Sequence, residues 1–288
     1  MSRDIRGELG VTWDPTTYLA FQDERERPFF DLVTRVAVSD PRNVVDLGCG
    51  PGRLTAALAR RWPRASVTGL DSSAAMVDRA RGESTDRLAF EVVDLRDWQP
   101  VEPVDVLVAN ASLQWVPGHR ELLPRLVDSL SPQGWLAFQV PGNFDEPSHV
   151  LLHELASDPR FAAATAGVER PTAFGPQTYL TDLASLGLSV DGWETTYLHV
   201  LTGEDPVFRW ISGTGARPVL QALDDDRRAA FVTEYKALLR AAYPPQSFGT
   251  VLPFRRVFVV ARRGVLGVHG DPSGPSGATP APPAEEGS

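Results

Sequence analysis

Residues 43–54 read NVVDLGCGPGRL, a short apolar run closed by an acid, then three glycines at alternate positions, then the start of a helical pattern. An apolar run of this length bounded by Gly and Pro reads as a buried strand, so the stretch predicts a strand, a glycine loop and a helix in succession. Glycine permits tight turning and close approach of a ligand, and the following helix N-terminus offers unpaired N–H groups to an anion. A plain strand-to-helix turn would use the same residues, so the loop alone does not name a ligand.

The pattern continues outward from this loop. ASVTGLD, LAFEVVD, VDVLVAN and GWLAFQV read as further buried strands, with helical candidates near 52–62, 73–82 and 119–130. This alternation predicts an α/β fold, a doubly wound Rossmann-like sheet that is mostly parallel with helices on both faces. Such sheets bind ligands beyond the carboxyl ends of their strands, where Asp46, Asp71, Asp94 and Asn110 fall. Upstream, PTTYLAFQDERERPFFDLVTRV has helical spacing and is expected to cover one side of the site. Downstream, HVLLHELASDPRF reads as helical, LSVDGWETTYLHVLT as a strand, and RRVFVVARR as a last strand returning to the sheet. The mostly helical stretch between those late strands, about 205–245, is expected to form a lid. The domain is expected to span 11–263, between a flexible N-terminus (1–10) and a disordered Gly/Pro/Ser/Ala tail (264–288).

Composition narrows the classes. The 288 residues suffice for one large domain with a lid, and the net charge of -9 excludes a broad phosphate-neutralising surface for nucleic acid. No apolar run approaches a membrane span, the charged start does not resemble a signal peptide, and the single cysteine, Cys49, cannot form an intrachain disulfide. A cytoplasmic protein is expected. One residue of the 28 basic ones is lysine (Lys236), so a lone arginine carries less meaning here than usual.

Dinucleotide enzymes use G-x-G-x-x-G, whose backbone cradles a pyrophosphate. Here the third glycine comes one residue early, at Gly48, Gly50 and Gly52, and Asp46 precedes the loop with a charge that opposes phosphate but suits a cation. S-Adenosylmethionine combines an ammonium and a sulfonium with one carboxylate, which matches the acid and the bare amides together. Asp71, followed by Ser72, stands where a carboxylate can accept from both ribose hydroxyls, although an Asp before SSAAM also reads as a helix cap. Asp94 beside Leu95 suits an adenine amino group, Met76 can pack on the ring, and the carbonyl of Asn110 can face the ammonium. Trp13 and Tyr18 in the N-terminal segment are expected to close over the cofactor.

VVDLGCGPG, LDSSAAM, VDLRDW and NASLQWV resemble the successive motifs of class I S-adenosylmethionine-dependent methyltransferases. More narrowly, WDPTTYLAF, NASLQWVPGH, EPSHVL, WETTYLH, GTGARPVL and LPFRRVFVVARR resemble the trans-aconitate 2-methyltransferase group, from about Val11 to Arg263. The resemblance implies a seven-stranded sheet with its last strand antiparallel, and the monomethyl ester of a tricarboxylate as product. Arg255 departs from the expected pattern and is a weaker candidate than Arg256.

A carboxylate acceptor is ionised at neutral pH, so no general base and no nucleophilic residue is expected. Recognition of the remaining carboxylates calls for arginine, with its planar fork, and points to Arg217 and Arg256, with His149 and Tyr197 as hydrogen-bond donors. Trp115 beside Gln114 is expected to wall the transfer cavity and offer a ring face to the sulfonium. His149 and His153 lie one helical turn apart, but H-E-x-x-H is absent and no third ligand is near, so no metal is expected and a helical surface accounts for the pair. A malonyl thioester or another small acid as acceptor, an NAD-dependent oxidoreductase, and a non-catalytic cofactor-binding protein stand as alternatives.

Overall fold

The computed structural model describes residues 22–264. Helix α1 (Gln22–Val33) precedes β1 (Asn43–Leu47), followed by α2 (Arg53–Arg61), β2 (Ser66–Asp71), α3 (Ala74–Ala80), β3 (Leu88–Val92), β4 (Val104–Asn110), α4 (His119–Asp128) and β5 (Leu130–Pro141). Then come α5 (Pro147–Ala156), α6 (Pro159–Thr165), α7 (Pro176–Ser185) and β6 (Leu188–Leu201). Helices α8 (Pro206–Ser212), α9 (Arg217–Ala222) and α10 (Asp225–Ala242) separate β6 from β7 (Thr250–Arg263).

One seven-stranded sheet runs β3-β2-β1-β4-β5-β7-β6. The first five strands are mutually parallel, and β7 runs antiparallel to both β5 and β6. Strand order reverses between β1 and β4, which opens a crevice at their carboxyl ends. The apolar runs are continuous because both faces are covered. In β4, Val106 and Val108 enter one core while Leu107 and Ala109 enter the other. A third cluster, built on Phe161, Trp210, Ile211, Phe231 and Tyr235, joins α8–α10 to α5 and α6.

The stretch expected as one helix, HVLLHELASDPRF, is two. Ser157 ends α5, the Asp158 side chain accepts the Arg160 N–H, and Pro159 sits at the start of α6, where its missing N–H costs nothing. Trp13, Tyr18 and the Gly/Pro-rich tail lie outside the described residues. Among the described residues no helix is long and apolar enough to cross a membrane.

Two features of β1 and its loop control local stability. Gly52 has φ +84, and a Cβ on it would stand 2.7 Å from the Ala80 Cβ and 2.8 Å from the Phe90 ring. It lets α2 seat against α3 and β3. Asp46 is 2% exposed. Its Oδ2 accepts the Thr55 hydroxyl at 2.6 Å, its Oδ1 has no hydrogen-bond partner among the described residues, and burial pushes its pKa up to about 6. Because this value lies above the ordinary 3.8, the folded protein holds a proton there that the unfolded chain has released. The Asp46 contribution therefore favours folding at low pH and is lost as pH rises toward 6.

Two outcomes follow for denaturant unfolding. Gly52→Ala is expected to cost about 2 kcal/mol or more through overlap and left-handed strain, whereas Gly50→Ala, with φ +52 and no neighbour within 4 Å, costs about 1 kcal/mol. Asp46→Asn is expected to stabilise the ligand-free protein at pH 8, on the order of 2 kcal/mol, with the gain shrinking below pH 5. Equal effects at both pH values would contradict the desolvation argument.

Candidate active site

At the carboxyl ends of the strands lies a cavity of about 410 Å³. One end of it is the glycine loop. The N–H groups of Gly48 and Cys49 donate to the Leu70 carbonyl at 2.7 and 2.9 Å, tying the loop to β2. Gly50 donates its N–H to Asp71 Oδ2 at 2.9 Å, and Ser73 donates to Oδ1 at 2.9 Å. Asp71 thus fastens the loop from the neighbouring strand, and its pKa is raised by burial against the opposing effect of these two donors. It is not the cap of α3, since the Ser73 side chain accepts the Met76 N–H. Gly48 must be glycine because a Cβ there would come 2.3 Å from the Ser112 Cβ.

Asp71, Ser72, Met76, Asp94, Leu95 and Asn110 all line this end. Both Asp94 oxygens already engage Arg96, whose Nη2 donates at 2.6 Å and holds the carboxyl below its usual pKa. Gln114 and Trp115 line the middle on a short 3-10 turn. Gln114 Nε2 donates to the Ala111 carbonyl at 2.6 Å, and Ala111 itself has φ +54, so the chain after β4 is bent into a sparsely populated conformation at the cavity.

The other end is built from Asn143 just beyond β5, Phe144, His149 on α5, Trp210, Thr214 and Gly215 between β6 and β7, and Phe254 and Arg256 on β7. His149 is buried rather than on a helical surface. Its Nδ1 lies 3.2 Å from the Ser148 hydroxyl and its ring meets Phe144 edge-on. Burial, helped by nearby His153, pushes its pKa down to about 4, so it is neutral at physiological pH. A Cβ on Gly215 would stand 2.7 Å from His149 Nε2, so only glycine leaves that nitrogen room at the wall. The Arg256 guanidinium lies 4.8 Å from the Phe254 ring centroid.

Five candidates do not line the cavity. Asp46 is enclosed behind the loop with Thr55, and Gly52 packs against Ala80 and Phe90. Tyr197 donates its hydroxyl to Asp31 Oδ2 on α1 at 2.6 Å, in an apolar cluster beneath the site. Arg217 is buried at the first turn of α9, behind Thr214 and Gly215. Arg255 pairs with Glu194 on the outer side of the hairpin. Sequence reasoning missed Arg79, Asn143, Phe144, Glu169, Thr214, Gly215 and Phe254 as wall residues. Asn143 was accessible, since it follows a strand end at the ligand edge. Among the described residues no three His, Cys, Asp or Glu side chains group to hold a metal ion.

Residues 44–134 match a family model described as a methyltransferase domain. The chain is 52% identical over 263 residues to a trans-aconitate 2-methyltransferase of Streptomyces coelicolor, covering 88% of this chain and 87% of that one. A trans-aconitate 2-methyltransferase of Rhodococcus jostii is 49% identical over 254 residues, covering 87% of this chain and 99% of the relative. Solved structures with the same fold include the [4+2]-cyclase SpnF, at TM-score 0.53 and 17% identity over 88% of this chain and 86% of that one. Another is a Haemonchus contortus phosphoethanolamine N-methyltransferase, at TM-score 0.51 and 15% identity over 83% of this chain and 52% of that one. A cyclase among these neighbours shows that the fold alone does not fix the reaction. The extended identity to the curated relatives does more: the chain belongs to the trans-aconitate 2-methyltransferase family of S-adenosylmethionine-dependent methyltransferases.

Proposed function

We propose that the protein transfers the methyl group of S-adenosylmethionine to one carboxylate of trans-aconitate, giving a monomethyl ester, and does so in the cytoplasm. The observation that carries this reading is one cavity with two unlike ends: a glycine loop with acids at one, and a buried arginine beside a neutral histidine at the other.

The donor half fits its ligand. Gly50 has open space where a Cβ would stand, so its backbone can be approached closely. Asp71 retains lone pairs beyond its two N–H bonds and can accept ribose hydroxyls. Met76 and Leu95 supply apolar surface for adenine, with Asp94 beside them. The buried Gln114 Oε1 has no hydrogen-bond partner among the described residues and suits a cationic group. When bound, S-adenosylmethionine supplies a methyl group on sulfonium, an electrophile that needs no proton to activate it.

The residues of the chain then align, neutralise and dry the site. Arg256 offsets acceptor charge with fork geometry suited to carboxylate. His149, neutral and with Nδ1 turned to Ser148, offers a hydrogen bond from Nε2 without adding charge. Trp115, Phe144, Trp210 and Phe254 provide apolar walls, and α8–α10 serve as the lid that brings Thr214 and Gly215 against the acceptor. Arg217 and Tyr197 act behind this wall, holding the segments that carry it. Orientation of two bound reactants can supply about 7–11 kcal/mol of the barrier, so no catalytic acid or base is required.

Transfer of labelled methyl to a panel of aconitate isomers, citrate, isocitrate and malonyl thioesters tests the reading, with trans-aconitate expected as the preferred acceptor. Label on malonyl thioesters alone would replace the acceptor assignment. Arg256→Ala is expected to raise acceptor KM by about 10–100-fold, the loss of a charged hydrogen bond, while the donor Kd stays near wild type. The pH profile of kcat/KM is expected to be flat from about pH 6 to 9 and to fall below about pH 5, as acceptor carboxylates protonate and His149 gains charge. A limb near pH 7 would reveal a general base.

A further inference from the structure

A buried glutamine joins the two halves of the cavity without touching either ligand space. Asn110, Gln139 and Arg256 lie on one face of three adjacent strands, β4, β5 and β7. Gln139 pairs with Asn110 in the parallel ladder, and Arg256 pairs with Pro141, two residues along β5. Gln139 is fully buried and is absent from the cavity wall, whereas Asn110 and Arg256 both line it. Its Oε1 accepts from Arg256 Nη1 at 3.0 Å, and its Nε2 donates to Asn110 Oδ1 at 2.7 Å.

The chemistry of this row has one direction. Arginine has only donors, so it dictates which end of the Gln139 carboxamide faces it. That choice presents Nε2 to Asn110, commits the asparagine oxygen, and leaves the Asn110 NH₂ as the group it can offer a ligand. Gln139 also holds the guanidinium with a neutral dipole, whereas a carboxylate of the same shape would hold it and cancel its charge.

We propose that Gln139 is a positioning residue for methyl transfer, orienting the acceptor-side Arg256 and the donor-side Asn110 together and preserving the arginine charge for an anionic acceptor. This rests on the assignment of Arg256 to the acceptor. It adds a selectivity element in the second row of the sheet, reached by neither reactant.

Gln139→Glu and Gln139→Leu separate charge from packing. In Gln139→Glu the carboxylate still accepts from Arg256, and Asn110 can turn its NH₂ inward, so thermal stability is expected to stay near wild type. Acceptor KM is expected to rise at least about tenfold for tricarboxylates, with a smaller rise for a dicarboxylate acceptor, and donor Kd is expected to rise by about two- to tenfold because the turned Asn110 amide offers its oxygen instead of its NH₂. In Gln139→Leu both hydrogen bonds vanish, so acceptor KM rises while the difference between tri- and dicarboxylates stays at its wild-type value. A folded Gln139→Glu enzyme with wild-type acceptor KM would overturn the inference alone. So would equal losses in both variants that follow their losses in thermal stability and ignore acceptor charge. If the wild-type chain methylates no polycarboxylate, the acceptor assignment fails first and the inference falls with it.

Discussion

A carboxylate on one strand grips a backbone amide on the loop of the next, and the glycine-loop end of the cavity is organised around that contact. Asp71 receives the Gly50 N–H and the Ser73 N–H at equal distances, so one side chain fixes both the glycine loop and the turn into α3. The three loop glycines then divide the labour. Gly48 lets the loop touch the segment after β4, Gly50 stays bare, and Gly52 lets the following helix seat on the sheet. A loop fastened this way is ordered by its own hydrogen bonds, and such preorganisation limits the entropy lost on binding.

Charge is distributed with equal economy. Asp46 and Asp71 are both desolvated around the loop, and the Asp71 charge adds to the cost of ionising Asp46. At the far end a buried guanidinium and an uncharged imidazole face the same space in a chain of net charge -9. Charge of opposite sign at the two ends of one cavity would sort a cationic donor from an anionic acceptor, as the proposed reaction requires. Electrostatic work of this kind needs burial, where water screens weakly.

Much of this organisation was legible in the sequence. Strands buried on both faces read as continuous apolar runs, so VVDL, VTGL and VDVLVA declared themselves, and the rule that ligands sit at strand ends placed Asp71, Asp94 and Asn110 correctly on the wall. What failed to show was whatever depends on a partner distant in the chain. Tyr197 is polar and close to Arg256, but its hydroxyl is taken by Asp31, 166 residues away. Asp46 looked outward because it precedes the loop, yet strand alternation turns it toward Thr55 on α2. Gln139 reads as one polar letter in GWLAFQV, and only the registers of β4 and β7 against β5 make it a bridge.

The helices between β6 and β7 stand on an apolar cluster of their own, separate from the two that clothe the sheet. Trp210 belongs to that cluster and is followed by Thr214 and Gly215 at the cavity wall, while the glycine loop is tied to β2 by the Leu70 carbonyl and Asp71. Two separately supported ends can therefore be altered unevenly: residues 206–242 can be repacked on their own cluster with little disturbance of the glycine loop.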